Sequence, residues 1–82
     1  MKLSKTQEAV LRALRASGEG EDKSSDGKSW RVVYLDNAKD RLKVIEGVEI
    51  SGHQWAGQLG ALRKMGLYRP LDSYGTFGKV QA

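Results

Sequence analysis

Two serine–glutamine capping boxes, Ser4-Lys5-Thr6-Gln7 and Ser51-Gly52-His53-Gln54, fix where two helices of this chain begin. In such a box the serine hydroxyl accepts from the amide three residues on, and the glutamine side chain reaches back to the serine amide. Behind the first box, Val10, Leu11, Ala13 and Leu14 form an apolar stripe on one helical face, and Gly18 stops it. This predicts a helix over 5–17. Behind the second, Trp55, Leu59 and Leu62 recur at i, i+4 and i+7, and Ala56 widens the stripe. Gly66 stands just past the end, where Leu67 can fold back on Leu62, the contact of a glycine-terminated helix.

The intervening sequence predicts a strand and a shorter helix. Gly18 to Ser29 has no apolar residue, so it has nothing to bury and is expected to be a flexible loop over 18–29. Trp30-Arg31-Val32-Val33-Tyr34-Leu35 is rich in β-branched and aromatic residues, with Trp30, Val32 and Tyr34 sharing one face of a strand. Asp36 or Asn37 can cap a second helix, in which Ala38, Leu42 and Ile45 keep helical spacing up to Gly47. After the last helix, 67–71 and 77–81 flank the turn-rich Asp72-Ser73-Tyr74-Gly75-Thr76, which predicts a β-hairpin. Pro70 cannot donate to a ladder and belongs on an edge strand. The expected fold is therefore α+β in one domain over 1–82, with three helices and a small antiparallel sheet. The element order is helix-strand-helix-helix-strand-strand.

Composition narrows the function. With 82 residues the core is small. There is no cysteine to supplement it with disulfides or a thiolate metal site. No apolar run reaches the length of a membrane span, so the expected location is the cytoplasm. His53 is the only histidine, which with no cysteine beside it makes a poor metal ligand. No paired carboxylates, nucleophile triad or phosphate-binding glycine loop point to an enzyme, and no cofactor is implied. Net charge is +4, unevenly spread. Residues 17–28 sum to −2, whereas 51–82 carry Arg63, Lys64, Arg69 and Lys79 against Asp72 alone. A surface for a phosphate backbone has to be basic in this way.

Ser51 to Val80 thus reads as a capped helix, a glycine stop and a basic hairpin, laid out as the recognition helix and wing of a winged helix-turn-helix domain. Within it, Gly57 to Leu67 resembles the end of the recognition helix in MarR-type regulators and small phage-encoded winged-helix proteins. There, two leucines three apart precede a basic pair, an apolar residue, glycine and leucine. Here these are Leu59, Leu62, Arg63-Lys64, Met65, Gly66 and Leu67. The likeness in element order covers nearly the whole chain, and the likeness in residues about a third of it. The long acidic segment after the first helix and the lack of an extra dimerisation helix depart from the family.

The resemblance implies a DNA-binding protein that regulates transcription, with helix 51–65 in the major groove of double-stranded DNA and hairpin 67–81 on the backbone. Ser51, His53, Gln54 and Gln58 would then face the groove. Glutamine can bond adenine bidentately, and Gln58 is the better reader because a capping box would occupy Gln54. Arg63, Lys64, Arg69 and Lys79 would hold phosphates, with Tyr74 near the wing tip. Lys2, Lys5 and Arg12 read first as a solvated face. Trp55 and Trp30 read as core anchors. Gly57 and Gly60 each cost about 1 kcal/mol of helix propensity, and either close approach by the preceding helix or DNA, or simple drift, accounts for them. A homodimer or another protein would be needed for tight specific binding. The alternative reading is a winged-helix protein-interaction module, an adaptor or a phage-type inhibitor of a host protein, without DNA binding.

Overall fold

The computed structural model describes residues 3–72 and 74–82. Helix α1 spans Lys5–Ser17, β1 Gly18–Lys23, β2 Ser29–Tyr34, α2 Leu35–Val44, α3 Gly52–Lys64, β3 Tyr68–Pro70 and β4 Phe77–Gln81. Among the described residues, three helices and a four-stranded antiparallel sheet of order β1-β2-β4-β3 make an α+β architecture.

Both capping boxes form. Ser4 Oγ accepts from the Gln7 amide at 3.1 Å, and Gln7 Oε1 accepts from the Ser4 amide at 2.9 Å. The same pair of bonds joins Ser51 and Gln54 at 3.2 and 3.0 Å. At the far end of α3, Gly66 adopts φ +77°, its amide donates to the Arg63 carbonyl, and the Leu67 amide donates to Leu62. This is the left-handed glycine stop that a side chain would strain.

Gly18 ends α1 by another means. It is extended, with φ −74° and ψ 147°, and leads directly into β1. A Cβ there would come within 2.7 Å of the Arg31 Cβ on β2, so absence of bulk is what the position needs.

The loop expected over 18–29 is instead a hairpin. β1 pairs antiparallel with β2, Glu19 opposite Val32 and Asp22 opposite Trp30, with a bulge between. Gly20 takes φ +72° at that bulge. The turn is tied by Asp26, whose Oδ1 accepts from the Lys28 amide at 3.1 Å and bonds the Ser24 hydroxyl, while Gly27 takes φ +84°. Every residue of β1 after Gly18 is exposed. The strand buries no side chain; it is held by backbone bonds to β2, by the Asp22–Lys79 ion pair and by the Ser29 hydroxyl donating to Glu21 at 2.9 Å.

Helix α2 begins at Leu35 with no side-chain cap, so neither Asp36 nor Asn37 acts as expected. The Leu35 amide donates to the Thr76 carbonyl at 2.9 Å, which ties the helix start to the β3–β4 turn. Ala38 and Leu42 are buried as the spacing requires, but Ile45 is exposed.

The core lies between the three helices and the inner face of the sheet. It comprises Val10, Leu14, Val33, Leu35, Leu42, Trp55, Leu62, Tyr68 and Val80 with their smaller neighbours. Trp30, Val32 and Tyr34 do share a face of β2, but it is the outer face. Alternation turns Val33 to the core, and Leu35, the first residue of α2, is buried there too. Trp30 is nonetheless 4% exposed, and the Arg69 guanidinium covers it at 4.9 Å from the ring centroid. No described helix is long and apolar enough to cross a membrane.

Candidate nucleic-acid interface

Helix α3 buries Trp55 and Leu62 and half-buries Gln58, Leu59 and Ala61. The side away from the core carries His53, Gly57, Gly60 and Lys64, with Ala56 and Arg63 on its flank toward β3, all exposed. It has no acid, and bulk only at its two ends. A Cβ placed on Gly57 or Gly60 would meet nothing within 4 Å, so α2 does not press on either glycine. The helix backbone is thereby left open to close approach from outside the molecule.

The expected base readers are placed unequally. The Gln54 carboxamide oxygen is engaged in the capping box, so a bidentate contact to a base would require that box to open. Gln58 is half-buried, and its Oε1 is buried without a hydrogen-bond partner among the described residues. It does not present both ends of its amide outward, contrary to its expected role as the better reader. Ser51 serves the cap. His53 stands exposed in the first turn, and Lys64 in the last.

The expected phosphate contacts divide into two groups. Arg63, from the last turn of α3, and Arg69, from β3, line one cleft of about 390 Å³ with Gly66, Tyr68 and Pro70. Tyr74 is 90% exposed in the β3–β4 turn; Ser73 of that turn lies outside the described residues. Lys79 sits on the outer sheet face, where it forms an ion pair with Asp22 of β1 and is only 28% exposed. A phosphate would have to displace that carboxylate. Arg69 shares the outer face through its stack on Trp30, although its edge reaches the cleft.

Of the cations on α1, Arg12 pairs with Glu46 at 2.6 Å and Arg15 Nε donates to the Gln81 carbonyl at 2.9 Å. Lys2 lies outside the described residues. Sequence reasoning missed Lys39. A Cβ on Gly52 would lie 3.7 Å from its ammonium nitrogen, so this α2 cation stands at the start of α3. Its outward spacing on α2 was legible, but its neighbour was not.

Beside the cleft, Trp55, Ala56, Leu59 and Gly60 of α3 face Tyr68 and Pro70 of β3 across an apolar groove. Burial holds the Tyr68 phenol above its ordinary pKa, reinforced by the nearby Asp72 carboxylate and opposed by Arg63. Among the described residues no three His, Asp or Glu side chains are grouped to hold a metal ion. Compared with known proteins, the chain matches no family model, no curated protein and no solved structure.

Proposed function

We propose that this is a small DNA-binding protein of the winged helix-turn-helix type, a transcription regulator acting by occupancy of duplex DNA. Helix α3 would enter the major groove, and the β3–β4 hairpin would lie on the backbone. The observation that carries the reading is the cleft bordered by both Arg63 of the helix and Arg69 of the hairpin, within which Arg63 is the cation not stacked on the sheet, the Arg69 guanidinium resting on Trp30. The acid-free, side-chain-poor exposed side of α3 supports it, because little has to move for a groove to approach. Base contacts then fall first to His53, with Lys64 and Lys39 on flanking phosphates. Gln54 and Gln58 would have to leave their present positions to join them.

The test is fluorescence anisotropy on random-sequence duplex DNA at two salt concentrations, with a matched single strand as control. Duplex binding should fall steeply with salt. Arg63→Ala and Arg69→Ala should each weaken all sequences alike and lower the salt slope by about 1. Absence of duplex binding at low salt overturns the proposal.

A second reading, a winged-helix module that binds protein, is favoured by a different observation. Large apolar side chains, including Tyr34, Leu71 and Phe77, are exposed on the outer side of the sheet. A protein captured from nuclease-treated lysate, together with no duplex binding, would support that reading over the first.

A further inference from the structure

Of the seven large apolar side chains exposed among the described residues, four belong to one surface, the outer face of the sheet. Tyr34 on β2 stands opposite Phe77 on β4, with ring centroids 5.2 Å apart. Leu71, two residues past the outward-facing Arg69, donates its amide to the Phe77 carbonyl and extends this row beyond β3. The next row along the strands is set by register. It runs Arg69 on β3, Lys79 on β4, Val32 on β2 and Glu19 on β1. Lys79 is neutralised within the chain by Asp22. The face therefore has an apolar end, a cation rooted on the β3 edge with its guanidinium laid inward over Trp30, and an anion at the β1 edge.

We propose that this face binds a second copy of the chain, sheet against sheet, about a two-fold axis running parallel to the strands. An isologous contact needs a patch that is complementary to itself. This axis reverses the strand order in the second copy, so β1 lies over β3 and β2 over β4. Arg69 of each copy, turned off its own Trp30, then meets Glu19 of the other, two ion pairs per dimer. Tyr34 and Phe77 of one copy meet Phe77 and Tyr34 of the other at the centre. A two-fold axis perpendicular to the strands would stack β3 on β3 and oppose Arg69 to Arg69, so charge selects between the two. Charge also selects the occupant. A single nucleic-acid strand stacking on these aromatics would run its phosphates past Glu19, unpaired among the described residues, which repels it. The inference does not rest on DNA binding.

Sedimentation equilibrium on the full chain, from low micromolar to near-millimolar concentration, should show a monomer–dimer equilibrium. Phe77→Asp should give monomer with an unchanged circular dichroism spectrum. Glu19→Arg and Arg69→Glu should each weaken the dimer about tenfold, and the two together should restore it. That restoration separates the contact from any damage to one protomer. A chain that stays monomeric throughout overturns the proposal, as does a dimer indifferent to Phe77→Asp. Shifts of the Tyr34 and Phe77 resonances on adding oligothymidylate to a monomeric chain would give the face to single strands instead.

Discussion

Gly78 and Tyr68 show how much one missing side chain can decide. The Tyr68 ring crosses the inner face of β4 where a Gly78 Cβ would sit, 2.5 Å from Cε1 and 2.6 Å from the phenol oxygen. Tyr68 is itself 4% exposed and wedged in the core, so it has no free end to swing away. Gly78→Ala should therefore destabilise the fold by about 1–3 kcal/mol, the usual cost of overpacking, read as a lower denaturant midpoint at unchanged slope. The same burial raises the Tyr68 phenol pKa, because the charged form is the one penalised. The direction sets the sign. The unfolded phenol loses its proton first, so the contribution is whole below the ordinary phenol pKa. It is lost as pH rises through the higher folded value. Chemical denaturation at stepped alkaline pH should show this loss in the wild type and a smaller one in Tyr68→Phe. In the sequence, Gly78 reads as one more glycine of a hairpin. Its partner is ten residues away and becomes visible only in the β3–β4 register.

At the scale of elements, the helices were legible and the first hairpin was not. The caps of α1 and α3 are local, each closed within four residues, so sequence spacing suffices to read them. Ser51→Ala should cost about 0.5–2 kcal/mol by the loss of its cap. The segment 18–29 reads as a loop because it has nothing apolar, yet Asp26-Gly27 is an ordinary hairpin signal. What the apolar criterion overlooks is an exposed strand held mainly by backbone bonds to its neighbour. The Asp26 carboxylate is held below its ordinary pKa by the Ser24 hydroxyl first and then by the Lys28 amide. A depressed carboxylate pKa stabilises above the unfolded value, and the benefit is lost as pH falls through the folded one. The Lys28 amide should accordingly lose hydrogen-exchange protection on acidification below the usual carboxylate range. In Asp26→Asn that pH step should vanish.

For the whole molecule, the question is where the cations end up. The strand alternation places Arg69 and Lys79 together on the outer sheet face. β1 then brings Asp22 to one of them, and Trp30 underlies the other. On the proposed DNA reading, Lys79→Ala should change duplex affinity less than Arg63→Ala, because a phosphate gains Lys79 only by displacing a carboxylate. Anisotropy titrations of the two variants at equal salt would show it, and an equal or larger effect of Lys79→Ala would count against docking through the Arg63 side. The candidate site was thus half legible. The basic bias of 51–82 and the exposed stations of α3 follow from composition and helical period. The burial of the Gln58 oxygen and the nearness of Lys39 to Gly52 depend on neighbours that local spacing does not specify.

The sequence by itself determined the start of α1, both ends of α3, the α+β class and the basic hairpin. These follow from capping, 3.6-residue periodicity, glycine stops and β-branched runs, all interactions within a few residues of one another. Only the tertiary structure decided which face of β2 meets the helices. Trp30, Val32 and Tyr34 outbulk Val33, yet the side facing the helices is that of Val33. A strand offers two faces of equal standing. The choice went to the one whose register with β4 also buries Val80 and Tyr68 beneath the helices, leaving the aromatic side outward.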